Sequence, residues 1–86
     1  MKVLLPTPLA EYTAGRREVH AEGATLEALL RDLDRRHPGV RFRIIDEQDA
    51  VRPHIKIFVN RVQESRLGRA LEPHDEVLVV AALSGG

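Results

Sequence analysis

The chain has 86 residues, enough for one domain with a single modest core. Its 13 basic and 13 acidic side chains cancel, which argues against a role that rests on bulk attraction to nucleic acid. The absence of cysteine excludes disulfides, thiolate metal sites and a cysteine nucleophile, and with no signal peptide and no apolar run of membrane length we expect a cytoplasmic protein.

The start of the chain predicts a hairpin with a long loop. Residues 3–5 are typical of a short strand, which Pro6 and Pro8 should stop. Residues 9–15 predict a connecting loop that ends in a turn, and residues 17–21 predict the second strand.

One amphipathic helix follows. Thr25 is a candidate N-cap, Glu27 adds negative charge to the first turn, and Pro38 should end the helix near His37. A single apolar stripe predicts that the helix lies across a sheet, and its members are Leu26, Leu29, Leu30 and Leu33.

The second half predicts two further clear strands. Residues 40–50 fit a strand or a helical turn equally well. Ile55, Ile57 and Val59 alternate with Lys56 and Phe58, as in a half-buried strand. A short strand should follow, and residues 77–81 are apolar on both faces, which is typical of a central strand. We therefore expect an α+β fold: a mixed sheet of four to five strands with one main helix packed across it.

Built-in catalysis is not indicated. The four histidines, His20, His37, His54 and His74, lack the spacing of a metal site, so we expect no metal. Neither serine lies in a nucleophile motif, and three aromatic residues give no platform for nucleic-acid stacking.

The final Gly85-Gly86 pair is the main functional signal. Two successive glycines at this position arise by chance in roughly one chain in two hundred. Without a Cβ, a Gly-Gly end can be threaded through a narrow cleft that any side chain would block, presenting its carboxylate to another protein's active site. We expect residues 83–86 to form a flexible tail on a domain that spans residues 1–86.

Three stretches carry a resemblance to the ubiquitin-like sulfur carriers, a family that includes the small subunit of molybdopterin synthase, the thiamin sulfur carrier and a carrier of a cysteine pathway. They are residues 25–30 (TLEALL), residues 57–60 (IFVN) and residues 71–77 (LEPHDEV), in this order before Gly85-Gly86. Because thiamin carriers typically lack the segment between Pro38 and Pro53, the resemblance favours the molybdopterin branch, with the cysteine branch close behind.

The resemblance implies a β-grasp fold and a carrier rather than an enzyme. It implies that an E1-like adenylating enzyme, using its own ATP and magnesium, activates the Gly86 carboxylate for conversion to a thiocarboxylate. The sulfur would pass to the large subunit of molybdopterin synthase or to another sulfur-accepting enzyme. Thiamin or tRNA thiolation, a conjugated tag and an inert interaction module remain alternatives.

Strand alternation also predicts a surface for these partners. If Ile57 and Val59 face the helix, Phe58 faces away from it, and Leu78 and Val80 lie beside Phe58 on the outer face. An exposed apolar patch there would indicate a protein interface. Leu83 and Ser84, just before the Gly-Gly end, complete the expected partner-binding residues.

Overall fold

The final strand lies at the centre of a five-stranded mixed sheet in the computed structural model, which describes residues 1–82. The sheet order is β2-β1-β5-β3-β4. The strands are β1 (Lys2–Leu4), β2 (Glu18–His20), β3 (Ile55–Val59), β4 (Val62–Gln63) and β5 (Glu76–Ala81), and the helices are a 3-10 helix (Thr7–Thr13), α1 (Leu26–Arg36) and α2 (Val40–Ile44). The predicted α+β architecture, with one main helix across a mixed sheet, is confirmed.

β5 holds the two halves of the sheet together. It pairs in parallel with β1, Val3 opposite Val77, and antiparallel with β3, Ile57 opposite Val79. The parallel pairing requires a long crossover from β1 to β5, and the rest of the domain lies within that crossover. Strand β5 is thus the strand that joins the β1–β2 pair to the β3–β4 pair.

Helix α1 covers one face of this sheet, as its leucine stripe predicts. Thr25 caps its start by accepting a hydrogen bond at Oγ1 from Ala28 N, 3.1 Å away. Four leucines on the stripe are fully buried and pack with the inward residues of the sheet; they are Leu26, Leu29, Leu30 and Leu33. Beyond the helix, Gly39 has φ +101°, a conformation that favours glycine.

One segment differs from the sequence-based prediction, and a second segment settles an ambiguity that the sequence left open. The prediction of a loop over residues 9–15 was wrong for its first part, because Thr7–Thr13 forms a 3-10 helix that buries Leu9 and Ala10 against the core. Pro8 suits the first turn of a helix, where an amide hydrogen would have no partner. The ambiguous segment contains α2, in which Val40 and Ile44 are both fully buried on one helical face.

The loop before β5 is tied to the turn after β3. Asn60 and Arg61 have positive φ values of 50° and 71°, which forms the tight turn into β4. The Asn60 side chain donates to Asp75 Oδ1 at 2.8 Å and accepts from Glu76 N at 2.9 Å. Asp75 Oδ2 in turn accepts from Glu72 N at 2.8 Å. This network fixes the point at which the chain enters its central strand.

Two carboxylates, those of Asp32 and Glu64, accept hydrogen bonds from loop residues in their ionised form. A backbone hydrogen bond from Glu22 N to Asp32 Oδ2, 2.8 Å, together with Arg35, lowers the pKa of Asp32 to about 2. The side chain and backbone N–H of Arg66 donate to Glu64 Oε2 at 3.0 and 2.9 Å, and they lower the pKa of Glu64 to about 2. Both groups are therefore ionised at neutral pH.

These two carboxylates predict how stability depends on pH. A carboxyl group with a depressed folded-state pKa stabilises fully above its unfolded pKa of about 4, and its contribution is lost as the pH falls through about 2. We expect the free energy of unfolding, measured by urea denaturation, to fall between about pH 5 and pH 2. Asp32→Asn should lose less stability than the parent chain over that interval. An equal loss in the two chains would contradict the assignment to Asp32.

Candidate functional site

The sheet face opposite α1 carries an apolar row across its central strands. The inward residues Val3, Val77, Ile57 and Val59 are at most 1% exposed, so their neighbours along each strand point outward. The strand register then aligns one outward residue from every strand: Glu18, Leu4, Leu78, Phe58 and Gln63. The centre of this row is apolar, and its two ends are polar.

We call Leu4, Phe58, Leu78 and Val80 the outer patch. The first three are half-buried, and Val80 is 36% exposed. The predicted positions of Phe58, Leu78 and Val80 on the outer face are confirmed. Leu4 was missed, although the alternation that buries Val3 and Leu5 already predicts that Leu4 points outward.

Charged residues border the outer patch along the strands. At the start of β5, Lys2 Nζ lies 3.1 Å from Glu76 Oε2, and the Glu76 carboxylate raises the pKa of Lys2. At the other end, exposed Lys56 of β3 lies opposite Val80. An apolar centre with a polar border is the usual anatomy of a protein–protein interface.

The described part of the chain ends immediately beyond β5. Ala82 N donates to the carbonyl oxygen of His54 at 2.7 Å, which extends the antiparallel pairing with β3 by one bond past Ala81. The root of the predicted tail is therefore fixed to the rigid sheet. The expected site residues Leu83, Ser84, Gly85 and Gly86 lie outside the described residues.

A groove lies beside Ala82, at the end of β5. It has a volume of about 440 Å³ and is lined by the 3-10 helix, α2 and the ends of β3 and β5, including Tyr12, Arg43 and His54. Arg43 Nε donates to Tyr12 Oη at 2.6 Å, which raises the pKa of Arg43. This contact joins α2 to the 3-10 helix across the groove, whose lining includes Ala82.

The histidines take up separate positions. His20 lies in β2, His37 ends α1, His54 precedes β3 and His74 lies in the turn before β5. Within residues 1–82, no three histidine, aspartate or glutamate side chains are placed to hold a metal ion. No helix in that part of the chain is long and apolar enough to cross a membrane.

Comparison with known proteins places this geometry in a family. A model described as the ThiS family matches residues 3–86. The sulfur carrier protein CysO of Mycobacterium tuberculosis is 32% identical over 89 aligned residues, which cover 98% of this chain and 96% of the relative.

Solved structures agree with the sequence match. A chain of the BexX/CysO complex of Amycolatopsis orientalis superposes with a TM-score of 0.90 at 28% identity, covering 99% of this chain and 98% of that one. Mycobacterium tuberculosis CysO gives 0.88 at 29% identity, with 95% and 98% covered. SAMP1 of Haloferax volcanii gives 0.80 at 31% identity, with 100% and 98% covered. With its β-grasp sheet and a family match along almost its whole length, the chain belongs to the ThiS family of ubiquitin-like sulfur carriers and is a carrier protein rather than an enzyme.

Proposed function

We propose that this chain carries sulfur as a thiocarboxylate on Gly86 and delivers it for cysteine biosynthesis. The observation that carries the proposal is the similarity to CysO along nearly the whole of both chains. The family match continues to Gly86, so the Gly85-Gly86 pair falls within the matched region. The earlier preference for the molybdopterin branch is less well supported, because the matched carriers bear the CysO name.

The proposed chemistry needs no side chain of this protein. A carboxylate is a poor acyl donor, because its leaving group would be oxide. The partner's adenylating site therefore joins the Gly86 carboxylate to the AMP part of ATP and releases pyrophosphate. Sulfide then attacks the acyl carbon, AMP leaves, and the thiocarboxylate holds sulfur in nucleophilic form. In this proposal ATP and magnesium belong to the partner enzyme, and we expect the reaction to take place in the cytoplasm, where ATP is supplied.

The described structure supports this role through its rigid tail root. Because Ala82 is hydrogen-bonded to β3, the proposal requires only the residues beyond Ala82 to enter a partner's cleft. Residues 83–86 would span at most ~14 Å when fully extended. The partner must therefore come within that distance of the end of β5, and the outer patch is the apolar surface that it would cover.

Two sets of partners follow. The activating partner is an E1-like adenylating enzyme, and the accepting partner is an enzyme that takes sulfur from the thiocarboxylate. The relative from Amycolatopsis orientalis was crystallised as a BexX/CysO complex, so a similar carrier does form a complex with a second protein. A modifier role is the second candidate, because SAMP1, named a small archaeal modifier protein, shares 29–31% identity with this chain.

The first prediction concerns Gly86. After incubation with the cognate adenylating enzyme, ATP and a sulfide donor, the intact chain should gain the mass difference between sulfur and oxygen. Removal of Gly86 should abolish the gain, because the remaining end would no longer reach the reacting atoms, whereas Lys2→Arg should behave as the parent. A chain that never gains this mass would contradict the carrier chemistry.

The second prediction concerns the outer patch. Phe58→Asp should weaken binding to the adenylating enzyme by at least tenfold, about 1.4 kcal/mol, because it places a charge at the centre of an apolar interface. Phe42→Asp is a matched control, since Phe42 is 55% exposed on α2, away from the outer patch. Calorimetry would measure binding, and circular dichroism would verify folding. Unfolding of Phe58→Asp, or equal effects of the two variants, would contradict the interface.

The third prediction separates the pathways. The purified thiocarboxylated chain should transfer sulfur to a cysteine synthase that uses an activated serine derivative, and should not restore activity to a molybdopterin synthase large subunit. Sulfur transfer would be followed first as a gain in mass, when the thiocarboxylate sulfur forms a bond to the serine-derived carbon, and then as return to the original mass with release of cysteine, when water cleaves the acyl–sulfur bond. Transfer to the molybdopterin enzyme alone would return the assignment to that branch.

A further inference from the structure

Strand β5 continues for three residues beyond its pairing with β1. The last aligned pair is Leu4 with Leu78, and Val79, Val80 and Ala81 have no partner residue in β1. On the β3 side the pairing continues through Ala81. The sheet is therefore complete on one side of the end of β5 and interrupted on the other.

The direction of the free peptide groups follows from one hydrogen bond. Ala82 N points towards β3, since it donates to His54 O. Peptide groups alternate sides along a strand, so the N–H of Ala81 and the C=O of Val79 point the other way, towards the interruption. Among the described residues, no main-chain hydrogen bond outside the strand ladders joins residues 79–81 to residues 5–8.

Two prolines prevent the chain from closing this gap itself. Pro6 and Pro8 face the end of β5, and neither carries an N–H to donate. Between them and β5 lies a groove of about 650 Å³, which we call the β5 groove. It is lined by residues 4–8, Arg17, Glu18 and residues 78–81. Leu4, Leu78 and Val80 belong both to this groove and to the outer patch, so the two surfaces are continuous.

We propose that the adenylating partner inserts an extended segment into the β5 groove and pairs with the free peptide groups of Val79 and Ala81. This proposal rests on the proposed function, which requires that partner to cover the outer patch and receive the tail. Strand addition to a free sheet edge supplies affinity through main-chain hydrogen bonds, while neighbouring apolar positions select side chains. The segment's contacting side chains should be apolar, to match Leu78 and Val80.

The β5 groove and the outer patch share Leu4, Leu78 and Val80. A segment of the adenylating partner that covers the outer patch would therefore reach the free peptide groups of Val79 and Ala81 without any change in the sheet.

Ala81→Pro tests the pairing. It removes the N–H that faces the groove, whereas the Ala82 N–H that bonds to β3 is retained. We expect calorimetry, without ATP or a sulfur donor, to show about tenfold weaker binding to the purified cognate adenylating enzyme. Ala81→Val keeps the N–H and should retain most of the affinity. A thermal unfolding midpoint close to that of the parent chain would show that Ala81→Pro remains folded.

Thr7→Trp tests the groove without touching β5. Thr7 is an exposed residue of the groove wall, so a large ring should fill the space and weaken binding by about tenfold, while Thr7→Ser should bind as the parent does. Equal affinities of Ala81→Pro and Ala81→Val, or no binding by the parent chain, would overturn the proposal. So would a parent chain whose groove is closed by a second copy, seen as a dimer in light scattering that Thr7→Trp disrupts.

The binding assay tests the strand pairing and the mass assay tests the carrier chemistry, so either hypothesis can fail without the other. A parent chain that binds through the groove but never gains sulfur would remove the proposed carrier chemistry and leave the strand pairing intact. A chain that gains sulfur normally in the Ala81→Pro variant, with unchanged affinity, would remove the pairing and leave the carrier chemistry intact.

Discussion

The placement of β5 between β1 and β3 is the constraint on which the domain and its site both depend. Its inward residues Val77 and Val79 lie in the core, while its outward residues Leu78 and Val80 form part of the outer patch. The strand ends at Ala81, and Ala82 continues its hydrogen bonding to β3. One six-residue segment therefore completes the core, carries part of the outer patch and leads directly to Ala82, the last residue that the structure describes. Any change that shifts its register by one residue would exchange the two faces and disturb all three.

Features set by local pattern could be predicted from the sequence. The leucine stripe identified α1, and alternation in β3 and β5 identified which residues point away from the helix. Features set by contacts between distant segments could not be predicted in the same way. The 3-10 helix at Thr7–Thr13 is stabilised by the burial of Leu9 and Ala10. The prolines near these residues do not predict that burial. Likewise, Val40 and Ile44 would suit a strand or a helix, and only their burial against the core selects the helix.

The position of the outer patch was predicted in part for a related physical reason. Phe58, Leu78 and Val80 follow from strand periodicity, but their position beside Leu4 depends on the parallel pairing of β1 with β5, two segments separated by most of the chain. The β5 groove depends on where β1 leaves the sheet at Pro6. Under the proposed function the receiving pathway would depend on neither feature, because a glycine thiocarboxylate is the same chemical group whichever enzyme accepts its sulfur. Pathway choice would then lie in how partner surfaces fit the face and edges of this sheet.

The central position of β5 also determines how the domain responds when a partner pulls on its end. Tension applied at Ala82 along the strand acts across its hydrogen bonds, which are perpendicular to the strand on the β3 side and slanted on the β1 side. The load is then shared among the register pairs with β1 and β3 at once, whereas a strand at the sheet edge would share it with one neighbour. If the proposed function holds, we expect the domain to stay folded when the segment after β5 is repeatedly inserted into and withdrawn from narrow active sites.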